Sequence, residues 1–151
     1  MVKSRDNMRI RKATKKDKKS ISELYYELHP VEEKRNKEKG LLVPIEKSKL
    51  QSILLVAEID RQIIGFIWGH FIAYGFFKYG TIDEFFVKKE FREKGIGTSL
   101  LKKVIKKLKK LNVKTVLVGT EKENKEAIVL YKEMGFKIGK ESQWFYWNPK
   151  Q

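Results

Sequence analysis

The chain has 151 residues, 41% of them hydrophobic, which suits one domain around one core. It contains no cysteine, which excludes disulfides, thiolate metal sites and a cysteine nucleophile, and fits a cytoplasmic setting. Its charge is +15, from 34 Lys and Arg against 19 Asp and Glu; a nucleic-acid or acidic partner fits that number, but a solvated Lys-rich surface is the preferred reading.

Residues 1–7 are polar and are expected to fray. Residues 8–12 alternate in polarity and predict a first strand. Thr14 followed by Asp17 is a helix-capping signature. Ile21, Leu24, Tyr25 and Leu28 then fall at helical spacing, and Pro30 ends the helix. Residues 31–49 are charged, with Gly40 and Pro44, and read as a short helix or a loop. Residues 53–59 and 63–72 predict two strands of a hairpin, closed by a tight turn at Asp60, Arg61 and Gln62. Gly75 and Gly80 flank a further turn, and residues 81–87 form a third strand.

A helix begins near Gly95. Leu100, Leu101, Val104, Ile105, Leu108 and Leu111 give it an apolar stripe of period 3.6, with Lys102, Lys103, Lys106, Lys107, Lys109 and Lys110 opposite. Residues 115–119 are wholly apolar, as in a strand buried on both faces. Asn124 opens a last helix with Ala127, Ile128, Tyr131 and Met134 along one side, and Gly135 stops it. Residues 136–138 and 143–147 predict two final strands. This order predicts an α+β fold, a mostly antiparallel central sheet flanked by helices, in a single domain over 1–151. No apolar run approaches the ~20 residues of a membrane span, and the N-terminus lacks the apolar core of a secretory signal. His29 and His70 are the two imidazoles, and nothing in their spacing suggests a metal site.

Chemistry is concentrated at Arg92-Glu-Lys-Gly95-Ile-Gly97-Thr98. Alternate glycines let backbone approach a ligand, and successive N–H groups leading into a helix N-terminus form an anion nest. On its own the pattern equally describes an ordinary glycine-rich turn. It is not the dinucleotide fingerprint, which needs a third glycine, nor a Walker loop, which needs Gly-Lys-Ser/Thr.

Together with Asn124, Tyr131 seven residues later, and Gly135-Phe136, the motif Arg92-x-x-Gly95-x-Gly97 resembles the GCN5-related N-acetyltransferase (GNAT) family. Ile10-Arg-Lys-Ala-Thr-Lys-Lys-Asp17 resembles that family's opening strand and cap, and the likeness runs over residues 8–147. The resemblance implies a GNAT-like fold and acetyl-CoA as co-substrate, with no metal. It implies that the backbone of Phe85, Phe86 and Val87 pairs with the pantetheine arm. Arg92, Glu93, Lys94, Gly95, Ile96, Gly97 and Thr98 would cradle the pyrophosphate, and Asn124 would hold pantetheine, a plain helix cap being its other reading. Tyr131 would touch the cofactor's sulfur end and protonate the departing thiolate, a core tyrosine being its other reading.

The attacking amine needs a base. Adjacent strand residues face opposite sides, so at most one of Asp83 and Glu84 faces the acetyl group, and Glu84 is the candidate. In part of the family an acidic residue lies five positions before the Asn; here that position is Gly119. Asp83-Glu-Phe-Phe-Val87 also resembles the diamine acetyltransferase branch. The implied acceptor is a primary amine of a small molecule, polyamine or peptide, with a homodimer compatible. The competing reading is a non-catalytic acyl-CoA-binding or nucleic-acid-associating module.

Overall fold

The computed structural model describes residues 7–30, 51–74 and 77–140. Expectations for residues 1–6, for 31–50 and for the last strand at 143–147 lie outside these residues. The chain divides into two compact units, Met1–Gly119 and Thr120–Gln151, each taken by itself.

The first unit contains β1 (Arg9–Lys12), a 3-10 turn (Lys15–Asp17), α1 (Lys18–Leu28), β2 (Gln51–Ile59), β3 (Gln62–Tyr74), β4 (Phe77–Val87), a second 3-10 turn (Lys89–Phe91), α2 (Ile96–Lys110) and β5 (Thr115–Val118). The five strands lie in the order β1-β2-β3-β4-β5. The first three pairings are antiparallel and β4–β5 is parallel, which is the predicted α+β sheet. Between β2 and β3, Asp60 and Arg61 have φ of 48° and 64°. A two-residue turn of that handedness matches the twist of the strands it joins.

The hairpin strands run longer than their sequence pattern. Gly80 does not flank a turn. It sits inside β4 opposite Phe71. A Cβ there would meet Leu108 Cδ1 at 2.8 Å, so the missing side chain lets α2 approach the sheet. Leu100, Leu101, Val104 and Leu108 of α2 are fully buried. Each contributes about 1.5–3 kcal/mol by leaving water. The six lysines of α2 are all exposed, and Lys107, Lys109 and Lys110 in its last turn suit the helix dipole. On the opposite face Ile21 and Leu24 of α1 pack with Val56, Ile63, Phe66 and Phe86.

The expectation that residues 115–119 are buried on both faces is corrected. β5 closes the described sheet, its residues alternate between exposed and half-buried, and Leu117 is 54% exposed. An apolar run marks a strand but not how many neighbours cover it.

An ionic cluster joins β1, β2 and the start of α1. Arg11 Nη1 and Nη2 donate to Asp17 Oδ2 and Oδ1 at 2.7 Å each. Arg11 Nε and Nη2 donate to Glu58 Oε2 at 3.0 and 2.6 Å, and Arg9 Nε donates to Glu58 Oε1 at 3.0 Å. Asp17 also accepts from the backbone N–H and hydroxyl of Thr14, which is the capping pair read in the sequence. Both carboxylates are buried. Hydrogen bonding to the Arg11 guanidinium holds the Asp17 carboxyl well below the usual range and lowers Glu58 as well.

The second unit carries α3 (Lys125–Glu133). Gly135 follows at φ 85°, the left-handed stop expected of it. Residues 136–138 form no strand among the described residues, and Ile138 is 78% exposed. A strand exists only with a partner to accept its hydrogen bonds, which alternation alone cannot supply.

Candidate active site

The parallel pairing of β4 with β5 joins Tyr79, Gly80, Thr81 and Ile82 to Thr115, Val116, Leu117 and Val118, and stops there. Glu84, Phe85, Phe86 and Val87 continue to pair with β3 on the other side. One edge of β4 therefore offers main-chain groups with no strand partner among the described residues. Phe86 and Val87 are buried and Phe85 is half-buried. An extended ligand carrying amides can add to such an edge as a peptide strand would.

The strand runs into the glycine loop. Arg92 Nε donates to Val87 O at 2.8 Å, and its guanidinium lies 5.4 Å from the Phe86 ring centroid. Its side chain thus turns back and ties the loop to the strand end. Glu93 and Gly95 have left-handed backbone at φ 58° and 71°. Glycine adopts this freely, whereas Glu93 does so against its Cβ. Lys94 Nζ donates to Glu90 O at 2.9 Å. Gly95 caps α2, and no side chain caps that end. The first N–H groups of the helix, from Ile96, Gly97 and Thr98, have no intrahelical acceptor and carry the dipole's positive end. Glycine at the cap of an uncapped helix is the arrangement an anion needs.

A β-bulge changes the reading of the two acidic residues. Trp68 pairs with Glu84, but Gly69 pairs with Ile82, so Asp83 is one residue too many for its partner strand. A bulge turns both residues at the surplus position toward one face. The contacts agree. Phe66 and Phe86 face α1. Glu84, two residues from Phe86, meets His29 Nε2 at 3.0 Å, where His29 caps the end of α1. Asp83 bonds His70 Nδ1 and accepts from Thr81 Oγ1 at 3.0 Å, and His70 stacks beside Trp68 with ring centroids 5.6 Å apart. The expectation that Asp83 and Glu84 face opposite sides of the sheet is therefore corrected: both face α1, each with an imidazole. Trp68 adds a buried indole N–H without an acceptor among the described residues. Such a donor costs about 1–3 kcal/mol.

In the second unit, Asn124 Oδ1 accepts from Ala127 N–H at 3.1 Å, which is the helix-cap role. Its amide NH2 is not used in that bond. Tyr131 is half-buried, its ring 5.8 Å from Phe136, and burial pushes its phenol pKa upward.

The expected residues thus fall into a continuous strand edge and loop in the first unit and a capped helix in the second. Sequence reasoning assigned no role to His29 or His70. The available signal was that the only two histidines have two adjacent acids to share, but the bulge that directs those acids has no local signature.

The sequence pattern of the acetyltransferase (GNAT) family matches residues 18–136. An N-alpha-acetyltransferase of Sulfurisphaera tokodaii is 32% identical over 106 residues, 64% of this chain and 63% of that protein. N-alpha-acetyltransferase 30 of Xenopus laevis is 38% identical over 72 residues, 48% of this chain and 26% of that protein. The chain spans less than two thirds of the length of either relative. The crystal structure of an aminoglycoside acetyltransferase from an uncultured soil metagenomic sample superposes with a TM-score of 0.76 at 16% identity, over 96% of this chain and 99% of that one, a likeness of fold.

Proposed function

The chain belongs to the acetyltransferase (GNAT) family, and from that premise we propose that it transfers an acetyl group from acetyl-CoA to the α-amine at the start of a peptide. The open edge of β4 leading into the Glu93–Gly95 turn and the uncapped start of α2 carries the reading. It suits a ligand with amides at one end and a pyrophosphate at the other. Phe85, Phe86 and Val87 would pair with the pantetheine amides. The N–H groups around Gly95, Ile96, Gly97 and Thr98 would hold the pyrophosphate, and the Asn124 amide would hold pantetheine.

Acetyl-CoA supplies an acyl group on a good leaving group. The chain's residues do the rest. Backbone N–H near Val87 polarises the thioester carbonyl. Glu84 takes the amine's proton, the amine attacks directly, and the Tyr131 phenol protonates the departing thiolate. Burial raises the Tyr131 pKa, which keeps its proton in place at neutral pH. Desolvation raises a thiol's pKa in the same direction, so the transfer is not made harder by the full shift.

The relatives' names support an α-amine acceptor. So does the energetics: freeing an α-amine of its proton at pH 7 costs about 1 kcal/mol, against about 4.6 for an alkylamine. The diamine reading rests on the Asp83-Glu-Phe-Phe-Val87 run, whose two acids face one side.

A panel of N-terminal peptides and diamines, read for free thiol and by mass, decides between them. Peptide acetylation several-fold faster is expected; faster diamine acetylation overturns the α-amine reading. Tight acetyl-CoA binding with no thiol from any amine would leave a binding module instead. Tyr131→Phe is expected to lower turnover about 10²-fold or more with acetyl-CoA affinity kept. Gly97→Val is expected to weaken acetyl-CoA at least tenfold, and unchanged affinity would reduce the loop to a turn.

A further inference from the structure

The first unit is electrically two-faced. The acids on its strands, Glu58, Asp83 and Glu84, all face α1. The other face carries α2, with six exposed lysines and no acid. From Lys94 to Thr120 the sequence contains no Asp or Glu at all. Two strand lysines stand on the same face. Lys12 alternates with Arg11, which turns toward Asp17 and α1. Lys78 lies two residues before Gly80, whose missing side chain meets Leu108. Lys114 follows α2, its N–H donating to Lys78 O at 2.9 Å. Among the described residues, Lys103 alone of the six has a side-chain partner, the Ile10 carbonyl.

A merely solvated helix looks different. Lys-rich surfaces ordinarily place glutamates one turn from their lysines, and the charges pair. The other two described helices have that mixture, two lysines and two glutamates each. In α2 the one-turn neighbours are Lys102 and Lys106, Lys103 and Lys107, Lys106 and Lys110, which repel. A partner with a row of negative charges relieves that repulsion.

The surface itself separates the candidate polyanions. A membrane takes up a helix through its apolar side, but that side of α2 is sealed on the sheet, with Leu100, Leu101, Val104 and Leu108 fully buried. Protein interfaces are built round aromatic residues, methionine and arginine and are poor in lysine, and α2 has none of the first three. Single-stranded nucleic acid needs aromatic platforms for its bases, which α2 also lacks. A duplex needs only point charges for its phosphates. The six lysines form two rows, Lys102-Lys106-Lys109 and Lys103-Lys107-Lys110, about 100° apart round a helix of 3.6 residues per turn. The major groove of DNA, ~12 Å wide, admits a helix and brings one phosphate strand to each row. The deep, narrow major groove of duplex RNA does not.

We propose that the outer face of α2 docks along the major groove of duplex DNA through its phosphates, without reading sequence. The inference stands apart from the acetyl-transfer reading. The pyrophosphate cradle uses the first turn of α2 and the lysines begin in its second, so both ligands fit at once.

Fluorescence anisotropy of a labelled DNA duplex of about 20 base pairs, roughly two helical turns, tests it on the full chain. The logarithm of affinity must fall against the logarithm of salt with a slope of about −4 to −5, as five neutralised phosphates give. Replacing Lys106, Lys107 and Lys110 together by Gln must weaken the duplex at least about tenfold and flatten the slope by about 2.7, with melting temperature and acetyl-CoA affinity kept. A control triple, Lys19→Gln, Lys125→Gln and Lys132→Gln, removes the same charge elsewhere and must cost less than about threefold. Equal losses in the two triples, or no binding at ~50 mM salt, overturn the docking face. Tighter binding of duplex RNA, single-stranded DNA, phosphatidylserine vesicles or a polyglutamate peptide overturns the choice of partner. Displacement of the duplex by coenzyme A at the coenzyme's own Kd does the same, since the lysines then serve the cofactor's phosphates. A chain that binds the duplex as stated and acetylates no amine keeps this inference and loses the functional reading.

Discussion

Two regions of the sheet hold carboxylates in close side-chain bonds, and they differ in the partner. At β1 and β2, Glu58 and Asp17 are bonded by Arg11, buried, and held in the charged state. At the β4 bulge, Glu84 and Asp83 are bonded by His29 and His70 and stay partly open to solvent. A guanidinium does not give up its proton, so its carboxylates are fixed charges. An imidazole carries no permanent charge, so its carboxylates are not held in a fixed ion pair. The same carboxylate chemistry is locked in an ion cluster in one place and left partly open to solvent in the other because of one change of partner.

The comparison breaks most visibly at Arg11. Arg11→Ala leaves two buried acids short of their main partner and is expected to cost about 3–5 kcal/mol in urea unfolding. A loss below about 1 kcal/mol would mean the cluster is as slack as the bulge pairs. Acid reads the same cluster. The folded pKa values of Asp17 and Glu58 are depressed, so their stabilisation is complete above the unfolded carboxylate pKa of about 4 and is lost as pH falls toward the folded values. Thermal melts are expected to hold level from pH 7 to about 5 and to drop below about 4, and this drop should shrink in Arg11→Ala. Glu84→Gln sharpens the contrast from the other side. It is expected to lower turnover about 10²-fold, near 2.7 kcal/mol in barrier, while moving unfolding stability by less than about 1 kcal/mol. A large stability loss with modest kinetic loss would make Glu84 a second Glu58. The smallest effect lies outside both regions: Asn124→Ala removes the α3 cap and is expected to cost about 1 kcal/mol.

What was legible in the sequence follows from how local each signal is. The apolar stripe of α2, the Thr14–Asp17 cap, the two-residue turn at Asp60 and Arg61, and the Gly135 stop each depend on a few neighbouring residues, and each is present. The Gly95 position was legible because its backbone conformation favours glycine, whereas Glu93 shares that handedness without announcing it. The bulge was not legible. It exists because β4 has one residue more than the facing stretch of β3, a relation between segments rather than a pattern within one. Alternation then assigned Asp83 and Glu84 to opposite faces. Gly80 failed for a related reason: the sequence shows a glycine, but only the packed helix shows Leu108 in the space its side chain would fill.

The open edge of β4 has a consequence for handling the protein. A run of main-chain groups with no strand partner among the described residues, beside the half-buried Phe85, is a template on which any extended segment, including one from a second copy, can add. Lys88 and Lys89 follow the run directly and oppose that addition by charge repulsion between copies. In ligand-free solution at high salt, where the repulsion is screened, the chain should scatter more light on standing. Storage with coenzyme A would then protect the edge, as well as the site, against self-association.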